Sequence, residues 1–314
     1  MLKELNKDKW IKEIDLSLIS FSELKNYKYL FSSKEWLSAY TDVYKPEKVL
    51  FILDKQISSN YIVLAYQDRS LIFLGGSFND FNGFFNTNLN QALYFKDLIK
   101  YCKKNNLKLQ LNSLFEESAI NYFNKFSIIN KSTVSLRIKP VDGNFSKLIS
   151  KRIRKMYEQS GELKFERQFL GCKTKQGGKL LNWLLDKRNN KLNTKKTKEF
   201  NLSFEEKFDN LILKFCFQNT LNQNVYIDYC MLNDILLACS LNFKHGQEAL
   251  CYLRAHTESS NNVSYGLILD YWGALQNERE NIKLLDLTRG NESYKYRLGA
   301  QEYYLQNLTV YEKK

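Results

Sequence analysis

The stretch from Asn224 to Gly299 constrains this chain most. It opens with three runs, Val225–Leu232, Ile235–Lys244 and Glu248–Ala255. They are rich in β-branched, aromatic and other apolar residues, the composition of strands. Asn233-Asp234 and His245-Gly246-Gln247 separate them, residues that accept the backbone of tight hairpins. A polar segment, His256–Ser264, leads into Leu267, Tyr271 and Leu275 at i, i+4 and i+8, the spacing of one helix face. A further strand, Ile282–Leu287, then runs to Arg289-Gly290. Three meandering strands, a helix and a fourth strand predict a mixed sheet, with a ligand site where strand meets helix.

The rest of the chain alternates in the same way. Ser32 and Glu35 have capping-box spacing, and Trp36, Tyr40 and Val43 follow at helical intervals, predicting a helix over 33–44. Residues 1–25 read as an opening strand or packed arm. Strands are expected at Lys48–Asp54, Tyr61–Gln67, Ser70–Gly75, Lys108–Asn112 and 127–138, and helices at 90–104 and 115–124. A loop opens at Gly75. The segment 145–160 is the clearest amphipathic helix: Phe145, Ile149, Ile153, Met156 and Tyr157 fall on one side, Lys147, Lys151, Arg154 and Lys155 on the other,. That basic side is either a solvated face or a wall for an anionic substrate. Residues 179–187 predict a short helix, 188–200 a basic surface loop or lid, and Ser203 with Glu206 opens another helix.

A chain of 314 residues accommodates two domains,, and the boundary is expected near Pro140, giving 1–140 and 141–314. Its net charge of +13, from 47 Lys and Arg against 34 Asp and Glu, favours anionic partners without choosing among nucleotides, nucleic acid and lipid. A biased genome would leave the same Lys-rich composition. The six cysteines form no C-x-x-C, and with two histidines in all no metal site is expected. The N-terminal residues lack the apolar core of a signal peptide, and no run of about 18 apolar residues occurs. A cytoplasmic, reduced protein is expected.

Four segments carry a resemblance. Phe31-Ser32-Ser33-Lys34-Glu35-Trp36 is similar to an "F-S-P-x-W" entry helix, and LGGSFNDFNGF (74–84) to a "G…S-D-Y" segment. SKLISKRIRKMYEQSGEL (146–163) is similar to a basic "S-K-R-R-N-x-R-R" helix, and LDLTRGNESYKYRLG (285–299) to "D-L-x-R-G-D-E-x-Y-K-x-R-F-G". Together they resemble the GNAT acyltransferase superfamily. Within it they are similar to the two-domain branch holding Fem-like aminoacyl transferases and the acetyltransferases encoded beside polysaccharide-synthesis genes. The resemblance implies an α/β (α+β) fold of two tandem GNAT-like domains, each a mixed, mostly antiparallel sheet flanked by helices, the first a degenerate copy.

It also implies transfer of an acyl group from acetyl-CoA or another acyl-CoA to an amine. The acceptor would be an amino sugar or small metabolite destined for a surface polysaccharide. Such chemistry needs donors that polarise the thioester carbonyl, an unprotonated amine and a proton for the leaving thiolate. The pyrophosphate would meet amides at a helix start, here Ser264, Tyr265 and Gly266, with Arg254 and Ala255 on the preceding strand. The superfamily's "R/Q-x-x-G-x-G/A" loop is absent. That leaves room for an aminoacyl-tRNA donor and a cell-wall precursor as acceptor, although no paired-helix arm is seen.

His256, at a strand end, is the candidate base, with Glu258 a lesser one; each reads equally as a polar turn residue. Asp286 would orient the amine or be a satisfied buried carboxylate. Tyr294 would be the acid, or a packing residue. Lys295, Asp80 and Trp36 are candidate acceptor contacts, Asp80 facing the cleft between the domains and Trp36 either core or a sugar platform. P-loop, nucleophile-elbow and zincin motifs do not occur,. A non-catalytic nucleic-acid-binding protein is a third reading, with no recognisable motif.

Overall fold

The computed structural model describes residues 11–15, 31, 33–46, 48–53, 61–80, 82, 91–115, 117–140, 143–170, 174–194, 202–218, 224–258 and 264–310. Residues 1–10 and 16–25, Ser32, Phe81 and Gly83 of the expected loop, the basic segment 195–200, and Asn262 before the expected helix start lie outside them. The chain divides into two compact units, Val134–Tyr303 and the remainder, so Tyr304–Lys314 belongs with the N-terminal residues.

The first unit contains β1 (Ile11–Asp15), α1 (Lys34–Tyr44), β2 (Lys48–Leu53), β3 (Tyr61–Gln67), β4 (Ser70–Phe73), α2 (Gln91–Lys104), β5 (Lys108–Leu114), α3 (Glu117–Phe123) and the beginning of β6 (Ser127–Ile138). Strands β1 to β4 form an antiparallel meander. β5 pairs with β4 in parallel, and the last strand, β12 (Gln301–Val310), pairs antiparallel with β5. Helix α1 starts one residue later than the capping-box spacing suggests: Ser33 accepts the Trp36 amide at 3.2 Å. Trp36, Leu37 and Tyr40 are its buried face.

The second unit repeats that topology. Its elements are the end of β6, α4 (Phe145–Leu148), α5 (Lys151–Glu158), β7 (Lys164–Phe169), α6 (Lys175–Thr194), α7 (Leu202–Cys216), β8 (Val225–Leu232), β9 (Ile235–His245), β10 (Glu248–His256), α8 (Tyr265–Arg279), β11 (Leu284–Arg289) and α9 (Ser293–Arg297). Strands β7 to β10 meander antiparallel, β11 joins β10 in parallel, and β6 pairs antiparallel with β11. Both units are thus mixed, mostly antiparallel sheets flanked by helices, as expected. Ala238 packs with Leu269 of α8, while the next residue, Cys239, meets the Leu180 carbonyl of α6. Alternation along β9 therefore puts α8 and α6 on opposite faces.

The core under α5 and α8 gathers Phe145, Ile149, Ile153, Leu267, Tyr271, Ala274, Leu285, Leu287 and Leu298. Each large member contributes about 1.5–3 kcal/mol on burial. The single helix expected over 145–160 is broken: Ile149 and Ser150 are extended, and the Ser150 amide donates to the Arg297 carbonyl at 3.0 Å. A tertiary acceptor there wins over the helical one. Residues 188–194 continue α6 rather than forming a loop.

Candidate active site

β10 and β11 are paired only at Glu248–Leu250 with Leu284–Asp286. Beyond Leu250, β10 keeps its bonds to β9 alone, so the two parallel strands open into a V, and α8 begins beyond the open end of β10. A bulge decides what faces this opening. Cys251 opposes Asn242 and Leu253 opposes Leu241, which leaves Tyr252 as the extra residue. Without it, Arg254 and His256 would point away from α8; the one-residue phase shift turns both toward the helix. Ala255, opposite Cys239, therefore faces the α6 side.

Arg254 is the hub. Its guanidinium is ion-paired with Asp270, one turn into α8, and lies 3.8 Å from the centroid of the Tyr294 ring. The stack spans from β10 to α9, the short helix following β11. Burial pushes the Asp270 carboxyl up, and the Arg254 cation opposes that shift. Burial likewise raises the Tyr294 phenol, with Arg254 again opposing. Tyr294 is thus a protonated hydroxyl at neutral pH, able to give up a proton only to a strong developing base.

His256 is exposed, with Nδ1 3.1 Å from the Thr257 carbonyl. Its ring lies over the start of α8 so closely that a Cβ on Gly266 would come within 2.9 Å of its Cδ2. Ser264 precedes α8 in an extended conformation, so the first amides of the helix, from Tyr265 on, have no partner inside it. Asp286 is buried within β11, where its pairing with β10 stops; Oδ1 accepts the Thr288 amide at 2.7 Å and Oδ2 the Tyr303 hydroxyl at 2.6 Å. Lys295 is also buried. Its ammonium donates to the carbonyls of Thr288 and Arg289, at 3.2 and 2.7 Å, and pairs with Glu292 at 3.0 Å. It ties down the last residues of β11, where Thr288 holds a φ of 64°.

The structure thus brings Arg254, His256, Gly266, Tyr265 and Tyr294 to the opening, with Asp286 and Lys295 supporting its β11 side. Trp36 and Asp80 belong to the first unit. Trp36 is fully buried and its indole N–H donates to Asn79 at 2.8 Å; Asp80 is buried as well.

A second charged cluster escaped the sequence reading. Arg167 of β7 binds Asp228 of β8 bidentately, at 2.7 and 2.9 Å, and reaches Glu280 at 2.5 Å and Asn277 at 3.2 Å. Burial pushes the Asp228 carboxyl up against the pull of Arg167. Asp228 Oδ2 lies 3.0 Å from where a Cβ on Gly273 would sit, so a glycine lets α8 approach the pair. Between the two ion pairs is a cavity of about 20 Å³ lined by Asp228, Ser240, Asn242, Cys251, Asp270 and Asn277, among others, room for about one water. The available signal was a lone acid inside an apolar run, in YIDYC and LILDYW; each such acid needs a buried partner.

No protein-family model matches this sequence, and neither does any curated protein. Solved structures do resemble it in fold. A conserved protein of unknown function from Bacteroides thetaiotaomicron is similar with a TM-score of 0.62 at 10% identity, over 94% of this chain and 98% of that one. FemX is similar with a TM-score of 0.60 at 8% identity, over 96% and 97%. The C-terminal domain of a putative lysylphosphatidylglycerol synthetase from Agrobacterium fabrum gives 0.59 at 11% identity, over 88% and 87%. At such identities the likeness is one of fold.

Proposed function

We propose that this protein is an N-acyltransferase that moves an acyl group from an acyl-CoA, such as acetyl-CoA, to an amine. The acceptor we favour is an amino sugar or small metabolite used in surface polysaccharide synthesis, handled in the cytoplasm. The observation that carries the reading is the V between β10 and β11, with a helix start beyond one arm and a protonated Tyr294 beside the other. The fold shared with FemX and with the synthetase domain supports a transferase.

The chain's residues fit such a donor. The β10–β11 ladder ends at Leu250, which leaves the edge of β10 beyond it for the amide-rich arm of the donor. The Ser264-Tyr265-Gly266 start of α8 offers amides and the positive end of the helix dipole to a pyrophosphate. In the reaction the amine nitrogen bonds to the thioester carbon and the C–S bond breaks. His256 takes the proton the amine loses, and Tyr294 gives one to the thiolate. Arg254, held by Asp270, fixes the Tyr294 ring. In this reading Asp286 and Lys295 hold the β11 turn that carries α9, and the first unit is a degenerate copy of the same domain whose Trp36 and Asp80 serve that copy's own packing.

The test is release of CoA thiol from acetyl-CoA in the presence of a panel of amino sugars and small amines. Acceptor-dependent release, lost in Tyr294→Phe, is the expected result. Thiol release that no amine accelerates would overturn the proposal.

A further inference from the structure

Two of the large apolar side chains exposed on the second unit, Leu148 at 44% and Tyr296 at 41%, belong to segments that meet. The Ser150 amide donates to the Arg297 carbonyl at 3.0 Å. Gly299 sits so close to Leu148 that an added Cβ would lie 2.7 Å from its carbonyl oxygen. Around this junction Lys147, Lys151, Arg152 and Arg297 are all exposed, and Lys155 follows Lys151 one turn along α5. Acids are present as well: Glu302 accepts the Tyr296 hydroxyl at 2.5 Å, Glu278 accepts the Ser146 amide at 2.5 Å, and Glu158 is exposed at the far end of α5. An exposed aliphatic and an exposed aromatic side chain thus sit on segments whose exposed cations outnumber their acids.

From this we infer that the junction of α4, α5 and α9 docks the second unit on the surface of an anionic lipid bilayer. The chemistry is complementary on both counts. Cations near an anionic membrane gain from its negative surface potential. Leu148 enters the boundary between headgroups and acyl chains, while a Tyr ring is suited to the interface because one end is apolar and the other wet. A nucleic acid would satisfy the cations equally, but it offers nothing to Leu148, whose branched aliphatic chain has no π-face for a base to stack on. The inference does not depend on the acyltransferase reading. It places the membrane against α9, the helix that also carries Tyr294.

Co-sedimentation with vesicles tests it. Phosphatidylcholine vesicles carrying about a third phosphatidylglycerol should bind the protein, phosphatidylcholine alone should not, and added salt should weaken binding. Lys151→Glu with Arg152→Glu should lower the partition about tenfold or more. Leu148→Ser should lower it several-fold without altering its salt dependence. All three positions are exposed, and unchanged melting curves would show that folding is intact. Absence of binding to the anionic vesicles overturns the inference, as does binding that the charge reversals leave intact. So does a Leu148→Ser variant that binds like the parent while a short RNA duplex displaces the vesicles: the patch would then be a site for polyanions.

Discussion

The Arg254 guanidinium stacks 3.8 Å from the centroid of the Tyr294 ring while its Nη1 is bound to Asp270. One cation on β10 is thereby fixed to α8 and to α9, the two helices that flank the opening between β10 and β11. The arrangement serves both stability and the proposed chemistry, and the two can be separated.

Removing Arg254 leaves Asp270 buried without a counter-charge. Arg254→Ala is expected to destabilise the protein by about 3–5 kcal/mol, read from denaturant unfolding. Arg254→Lys keeps the charge but loses the planar stack, so it should unfold closer to the parent and still impair turnover. Equal stability of Arg254→Ala and the parent would show that the ion pair does not form in solution.

Tyr294→Phe removes a hydroxyl and little else. If Tyr294 protonates the thiolate, kcat should fall by about 10²–10⁴-fold with little change in the KM for acetyl-CoA. A packing Tyr would give the opposite pattern, a lower melting temperature with kcat retained.

Glu280 gives a pH signature. Burial alone would raise its carboxyl, but the bonds from Lys244 and Arg167 outweigh it and hold the group below its ordinary 4.5. A depressed carboxylate stabilises the fold above that value and stops doing so as pH falls through the folded-state value. Glu280→Gln is therefore expected to cost about 1–2 kcal/mol near neutrality, a gap that narrows below about pH 4.5. Stability curves of parent and variant against pH check this; a gap that stays constant contradicts it.

Gly299 has a φ of 84°, and a Cβ there would meet the Leu148 carbonyl oxygen at 2.7 Å. Gly299→Ala should cost about 1–3 kcal/mol, measured by thermal unfolding, because the atoms it would meet, the Leu148 carbonyl and Cβ, move only with the backbone.

Much of the second unit was legible in its sequence, for a physical reason: β8, β9, β10 and α8 are dense in apolar residues and are set off by hairpin residues such as Asn233-Asp234. The elements missed, β12 and β7, have a weaker apolar signal. β12 buries Tyr303 and Leu305, then Leu308 and Val310, with its register shifting between Gln306 and Leu308; that bulge erases a period of two. β7, with the sequence KFERQF, is paired on one side only and is half charged. Within the site, Tyr294 and His256 could be named from local motifs. The pairings Arg254 with Asp270 and Arg167 with Asp228 could not: the first depends on the bulge at Tyr252, and the second joins residues 61 apart in sequence.

The central claim is that the opening of the second unit receives an acyl-CoA, and calorimetric titration with acetyl-CoA and with free CoA tests it most directly. Tyr265→Pro is the informative variant. Tyr265 is the first helical residue and Ser264 before it is extended, so proline fits there and deletes one amide at the helix start. The account predicts micromolar binding of both ligands, weakened about tenfold in Tyr265→Pro with helix content unchanged. No binding to either ligand, or equal binding by parent and variant, would contradict it.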